Sequence, residues 1–174
     1  VASQPDPTDE KRQHILNGSW RQKAIVGLPA ILLAGCSSIP ADADGALDRA
    51  QNGTLAVGVS EHPPWTFVGP DGGVTGREAD LIEGFAEKIG AEIEWHIGPE
   101  SVLADAIKEG ELDVVIGGLT SSAPWSDKMA LTRSYAAVAT KDGQTDDMVM
   151  GVPLGENALM IALERHLAHE HGEI

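Results

Sequence analysis

Several residue types in this chain have chemistry to offer, and most lie close to apolar runs. His62-Pro63-Pro64-Trp65 follows the run Thr54-Leu-Ala-Val-Gly-Val59. Consecutive prolines forbid regular structure, so Trp65 and His62 are expected on an irregular loop at a strand end, where a ligand can reach them. Gly117 and Gly118 permit a close backbone approach, and their neighbours Thr120 and Ser122 carry hydroxyls. Backbone N–H groups in that stretch are candidates for an anion nest. Glu78 and Asp80 add carboxylates; Glu78 is counted with the ligand contacts and Asp80 as a helix cap. His166, His169 and His171 alternate with Glu170 and Glu173, and one helical turn separates His166 from Glu170. A solvated, frayed helix end explains that cluster better than a metal site, and no metal is expected. Catalysis finds no support, because no Ser-His-Asp set, no His-Glu-x-x-His and no phosphate-cradling Gly-x-x-x-x-Gly-Lys occurs. No enzyme activity and no cofactor are expected.

These residues need elements to position them. Thr54 to Val59 reads as a buried strand, and Pro70-Asp71-Gly72-Gly73 as a turn. Asp80 is expected as the N-cap of a helix whose Leu81, Phe85 and Ile89 share a face, and Gly90 ends it. Ala91 to Ile97 reads as a second strand. Ser101 is expected to cap a second helix that closes near Gly110. Asp113 to Ile116 reads as a third strand. Met148 to Val152 reads as one further strand, and Gly155-Glu-Asn157 leads into a helix with Leu159, Leu163 and Leu167 on one face. Lys141 to Asp146 reads as part of a polar loop. Strand, helix, strand, helix, strand implies an α/β fold with a mostly parallel sheet flanked by helices. Ligands of such sheets bind at the carboxyl ends of strands, which places His62 to Trp65 and Gly117 to Ser122 together.

The chain has 174 residues, enough for one domain, and a net charge of −15 with 22% charged side chains. That charge argues against nucleic acid and anionic lipid head groups as partners. Cys36 is the single cysteine, which excludes an intramolecular disulfide. Arg21 and Lys23 precede an apolar run, Ala24 to Ala34, that is short of the ~20 residues needed to span a bilayer. The run ends in Leu33-Ala34-Gly35-Cys36, which resembles a bacterial lipobox. The resemblance implies lipidation at Cys36, export, and a lipid anchor on the cell membrane or the outer membrane. Residues 1–35 are therefore expected as an N-terminal extension and signal peptide. Residues 36–52 are expected as a flexible tether, and residues 53–174 as the domain.

The domain resembles the bacterial extracellular solute-binding proteins of family 3, which serve amino-acid-type ABC importers. The resemblance rests on Thr54 to Val59 with Pro63-Pro64-Trp65, and on Gly76-Arg-Glu-Ala-Asp-Leu81. It rests further on Gly110-Glu-Leu-Asp113, Gly117-Gly-Leu-Thr-Ser-Ser122 and Leu131-Thr-Arg-Ser-Tyr135, all in order. It implies a single Rossmann-like lobe of a periplasmic binding protein. The usual second lobe would be replaced by the loop near 140–147. It also implies a small polar solute such as an amino acid or amine, and a membrane transporter component as partner. The family's carboxylate-gripping arginine falls on Trp125 here. An indole has one N–H donor and no charge, so Trp125 is expected to stack on a flat or cationic group or simply to pack. The alternative is an interaction module that docks on a transporter or pairs with a second copy of itself.

Overall fold

The computed structural model describes residues 42–140 and 142–170. Cys36, the apolar run before it and residues 36–41 of the expected tether lie outside the described residues, as do Lys141, His171 and Glu173. No helix among the described residues is long and apolar enough to cross a membrane.

The core is a five-stranded sheet built from β1 (Thr54–Val59), β4 (Glu92–Ile97), β5 (Val114–Ile116), β6 (Met129–Leu131) and β9 (Gly151–Pro153), in the order β4-β1-β5-β9-β6. β1 pairs in parallel with β4 and with β5. β9 is antiparallel to both β5 and β6, so four of the five strands run the same way. The expected mostly parallel α/β fold is the one observed. Two short hairpins lie outside this sheet: β2 (Phe67–Val68) with β3 (Val74–Thr75), and β7 (Ala136–Ala139) with β8 (Thr145–Met148).

Helices cover both faces, because successive strand residues point to opposite sides. Val114 and Ile116 of β5 join the cluster formed with α1 (Ala46–Ala50), α2 (Arg77–Ile89) and α4 (Asn157–Glu170). Val115 joins the opposite cluster, under α3 (Glu100–Lys108). Leu159, Leu163 and Leu167 are the buried stripe of α4, as their spacing predicts; burying each contributes about 2 kcal/mol. Gly90 closes α2 in the left-handed conformation, also as predicted.

Five local expectations are corrected. The tether does not extend to residue 52: Ala46–Ala50 is helical, and Ala46 and Ala50 are buried. α2 begins at Arg77, so Asp80 lies inside its first turn rather than at its cap. The Glu78 N–H there donates to the Trp65 carbonyl at 3.1 Å, which satisfies a donor the helix itself leaves open. α3 starts at Glu100 and leaves Ser101 inside, because the Pro99 carbonyl already accepts from the Val102 and Leu103 N–H groups. Met148 to Val152 is not one strand. The chain changes sheets at Val149-Met150, where Val149 N–H bonds to Leu119 and Met150 N–H to the Thr132 hydroxyl. The polar stretch before it is shorter than expected, because Thr145–Met148 pairs with Ala136–Ala139.

α1 is fastened by a reciprocal pair of carboxylates. Asp42 accepts from Ala158 and Leu159 N–H at the start of α4, and from Leu47 N–H in α1. Glu156, just before α4, accepts from Asp44 and Ala46 N–H at the start of α1. Each segment thus satisfies the open donors of the other's first turn. Asp42→Ala is expected to cost about 1–2 kcal/mol in urea denaturation, the cost of a lost cap. An unchanged midpoint would show that Glu156 and the buried alanines hold α1 without Asp42.

Candidate functional site

The carboxyl ends of β1 and β5 lie side by side, with Val59 opposite Ile116. The turn after β1 is tight. Thr66 is fully buried; its hydroxyl donates to Ser60 O at 2.6 Å and accepts from His62 N–H at 2.9 Å. Trp65 N–H donates to His62 O at 2.8 Å. These bonds fold the prolines outward and turn the Trp65 side chain inward, where it is 7% exposed, while His62 stays exposed.

Gly117 and Gly118 follow β5 beneath that turn. A Cβ on Gly118 would lie 2.7 Å from the His62 ring and 3.1 Å from Trp65, and the backbone there is left-handed at φ 70°. Only glycine lets the two loops meet so closely. The Trp65 ring meets Tyr135 edge to face, with centroids 6.2 Å apart. Arg77 holds its guanidinium over the Trp65 ring, 5.5 Å from its centre.

Glu78 lies under this layer and is fully buried. One carboxylate oxygen accepts from Gly117 N–H at 2.8 Å and from Gly118 N–H at 3.0 Å. The other accepts from the Tyr135 hydroxyl in a short hydrogen bond. Burial raises the Glu78 pKa above its ordinary value, against the pull of these donors and of nearby His62. Burial and the facing carboxylate also push the Tyr135 hydroxyl well up.

The structure therefore brings His62, Trp65, Glu78 and Gly118 into one assembly, with different roles. Glu78 is the floor of the site, with both oxygens engaged by the fold. The expected anion nest is corrected on this point: the Gly117 and Gly118 N–H groups already hold an internal carboxylate. Thr120 and Ser122 lie two and four residues beyond, their hydroxyls 2.9 Å apart. Trp125 stands apart from this assembly. It packs on the α3 side, donates its indole N–H to Glu100 at 3.2 Å and carries Lys128 over its ring. Sequence reasoning missed Thr66, Tyr135 and Arg77 as site residues. Tyr135 had one signal, being the single tyrosine of the chain.

Among the described residues, no group of three or more His, Cys, Asp or Glu side chains comes together as metal ligands would; His171 and Glu173 lie outside them. His166 is buried, and its Nε2 donates to Leu81 O at 2.9 Å. Burial lowers its pKa, and the ring packs against Phe85. A broad groove between α2 and α4, lined by Arg77, Asp80, Glu87, His166 and Glu170, adjoins the site through Arg77.

The family model of bacterial extracellular solute-binding proteins, family 3, matches residues 55–171. The L-cystine-binding protein TcyJ of Escherichia coli is 29% identical over 117 residues, 66% of this chain and 44% of that protein. The membrane-bound lytic murein transglycosylase F of Vibrio cholerae is 34% identical over 99 residues, 56% of this chain and 18% of that protein. The chain spans less than half the length of these curated relatives. Among solved structures, the arginine-bound form of domain 1 from TmArgBP superposes with a TM-score of 0.61 at 24% identity, over 70% of this chain and 97% of that one. The ancestral amino acid-binding protein AncCDT-1 gives 0.64 at 15% identity, over 74% and 94%. At these identities the structural likeness is one of fold.

Glu78→Ala strands the Gly117, Gly118 and Tyr135 donors and is expected to cost about 3 kcal/mol. Glu78→Gln keeps an acceptor for the glycines but cannot titrate. Since the folded-state pKa of Glu78 is raised, the wild type gains stability relative to Glu78→Gln as pH falls from 7 toward the ordinary value of 4.5. Asp113, also raised by burial, is common to both proteins and cancels. Denaturant melts at several pH values read the difference, and a pH-independent gap would contradict the assignment.

Proposed function

Because this chain belongs to the bacterial extracellular solute-binding proteins of family 3, we propose that it is a non-enzymatic lobe that binds a small polar solute, such as an amino acid or amine, for an ABC-type transporter. The ligand contacts are Trp65 and His62 with Gly118, Thr120 and Ser122, and Glu78 acts from beneath. Trp125, beside α3, contributes at the edge at most by packing. The reading includes export and a lipid anchor on Cys36 at the periplasmic side, carried by the lipobox resemblance. It also takes the β7–β8 hairpin as the place where two-lobed relatives continue into their second lobe.

One observation carries the reading. A buried indole is fixed at the carboxyl end of β1 by a glycine that nothing larger could replace, which is where ligands of such sheets bind. The single-domain neighbour described as arginine-bound supports the idea that one lobe suffices to hold a solute. The match to the transglycosylase covers 18% of that protein and lends no support to catalysis here. Glu78, with both oxygens engaged, is also ill placed to exchange a proton with a substrate.

A second reading, an interaction module that docks on a membrane protein or on a second copy, draws on the exposed apolar residues Ile97 and Val102. They lie at the end of β4 and in the first turn of α3. Light scattering across a concentration series tests self-association.

Isothermal titration with amino acids, amines and small organic acids tests the first reading. Binding is expected to be weak, because an open lobe covers little of the ligand. Trp65→Leu is expected to weaken it about thirtyfold, the scale of an aromatic anchor. Unchanged affinity in that variant would remove the site from the strand ends. Silence toward every solute would favour the interaction module.

A further inference from the structure

We propose that the outer edge of β4 pairs with β4 of a second copy of this chain, antiparallel about a two-fold axis at Trp95, so that two sheets join into one. The proposal rests on the self-association arm of the second reading and says which surface does it. It does not depend on whether the strand ends hold a solute.

The first observation is an open edge. β4 stands at the end of the sheet order, with β1 on one side. The Glu92 N–H donates to Gly53 O at 2.8 Å and the Gly98 N–H to Val59 O at 3.0 Å, both toward β1. Successive N–H groups of a strand point to opposite edges. Those of Glu94 and His96 therefore also face β1, and those of Ile93, Trp95 and Ile97 face outward. Among the described residues, no strand pairs with that outer side. Proline and bulges commonly guard such an edge. β4 has neither, and its register with β1 runs unbroken from Glu92 to Ile97.

The second observation is the sorting of its side chains, which alternate between the two faces of the sheet. Ile93, Trp95 and Ile97 share one face, and Glu92, Glu94 and His96 share the other. Ile93 and Trp95 are partly buried against the core, but Ile97 is 49% exposed. On the polar face, His96 Nε2 has no hydrogen-bond partner and only approaches Glu94, at 3.4 Å.

The third observation is that charge selects both the partner and the register. A two-fold axis at Ile93 or Glu94 sets glutamate against glutamate, which is destabilising between facing strands. An axis at His96 or Ile97 carries Glu94 past the end of the facing strand. An axis at Trp95 does neither. It places Ile93 opposite Ile97 of the second copy, and Glu94 opposite His96 of the second copy, at the closer, non-hydrogen-bonded spacing. The imidazole then meets a carboxylate acceptor, Ile97 is covered, and every residue from Ile93 to Ile97 has a partner. The net charge of −15 opposes encounter, but salt screens it beyond about 8 Å. A strand of six residues covers less than the roughly 1,000 Å² of a stable interface. The dimer is therefore weak and fills as concentration rises.

Sedimentation velocity of the full chain at about 0.15 M salt, up to about 1 mM protein, is the test. A reversible dimer is expected. Ile97→Pro removes an outward N–H that β1 does not use, and should weaken the dimer about tenfold with little change in melting temperature. Should that variant fold poorly, Glu94→Lys probes the same edge through an exposed side chain. It reduces the net negative charge, so general repulsion alone predicts tighter association, whereas the proposed pairing predicts about fivefold weaker. Adding His96→Glu to Glu94→Lys rebuilds the facing pairs and should return the affinity to within about twofold of wild type. Hydrogen exchange should show protection growing with concentration at the Ile93, Trp95 and Ile97 amides and not at Glu94 and His96, which already face β1. Tighter association of Glu94→Lys, or no rescue by the double substitution, would overturn the pairing. A dimer indifferent to all three variants would move self-association to another surface, refuting the edge and leaving the second reading in place. A monomer throughout would refute the edge and the self-association arm together.

Discussion

Three distant parts of the chain meet at the carboxylate of Glu78. It belongs to the first turn of α2 and accepts hydrogen bonds from the Gly117-Gly118 loop and from Tyr135, residues 39 to 57 positions away. A fully buried carboxylate is costly unless its oxygens are satisfied, and here the fold satisfies them. The cost fixes the geometry. Any arrangement that moved the glycine loop or the tyrosine would strand a buried carboxyl group without partners.

The shape of the site follows from that constraint. With Gly117 and Gly118 drawn down onto Glu78, the His62 ring and Trp65 settle against the space where a Cβ would stand. Tyr135, drawn to the same carboxylate, meets Trp65 edge to face. The Gly117 and Gly118 N–H groups are taken up by Glu78 in the process, and the Trp65 ring lies beside them. The arrangement of these side chains is thus set by an internal carboxyl group that is itself fully buried.

A second pair of carboxylates does comparable work at the other end of the sheet. Asp42 and Glu156 exchange helix-start hydrogen bonds between α1 and α4. The amino ends of the parallel strands are thereby closed by structure, while the carboxyl ends carry the irregular loops. The β7–β8 hairpin lets the chain leave and re-enter within a few residues, and β9 returns to fill the sheet between β5 and β6.

Much of this was legible in the residues. Apolar runs and helical spacing gave β1, β4, β5, α2, α3 and α4, because burial imposes a period on the sequence. The proline pair marked the loop that carries Trp65, and the order of short motifs marked the family. Helix caps were missed by four and two residues, since the chain turns into α2 at Gly76 and into α3 at Pro99, where the Trp65 and Pro99 carbonyls rather than Asp80 and Ser101 serve the first turns. α1 was missed because its small, acidic surroundings look like a tether until Glu156 is folded against them. The sequence by itself determined the class of fold and the loops that line the site. Only the tertiary structure decided that both Glu78 oxygens meet Gly117, Gly118 and Tyr135, that Trp125 turns to α3, and that Arg77 lies on Trp65. Those outcomes depend on which donor reaches which acceptor across tens of residues, and no local period or spacing records that choice.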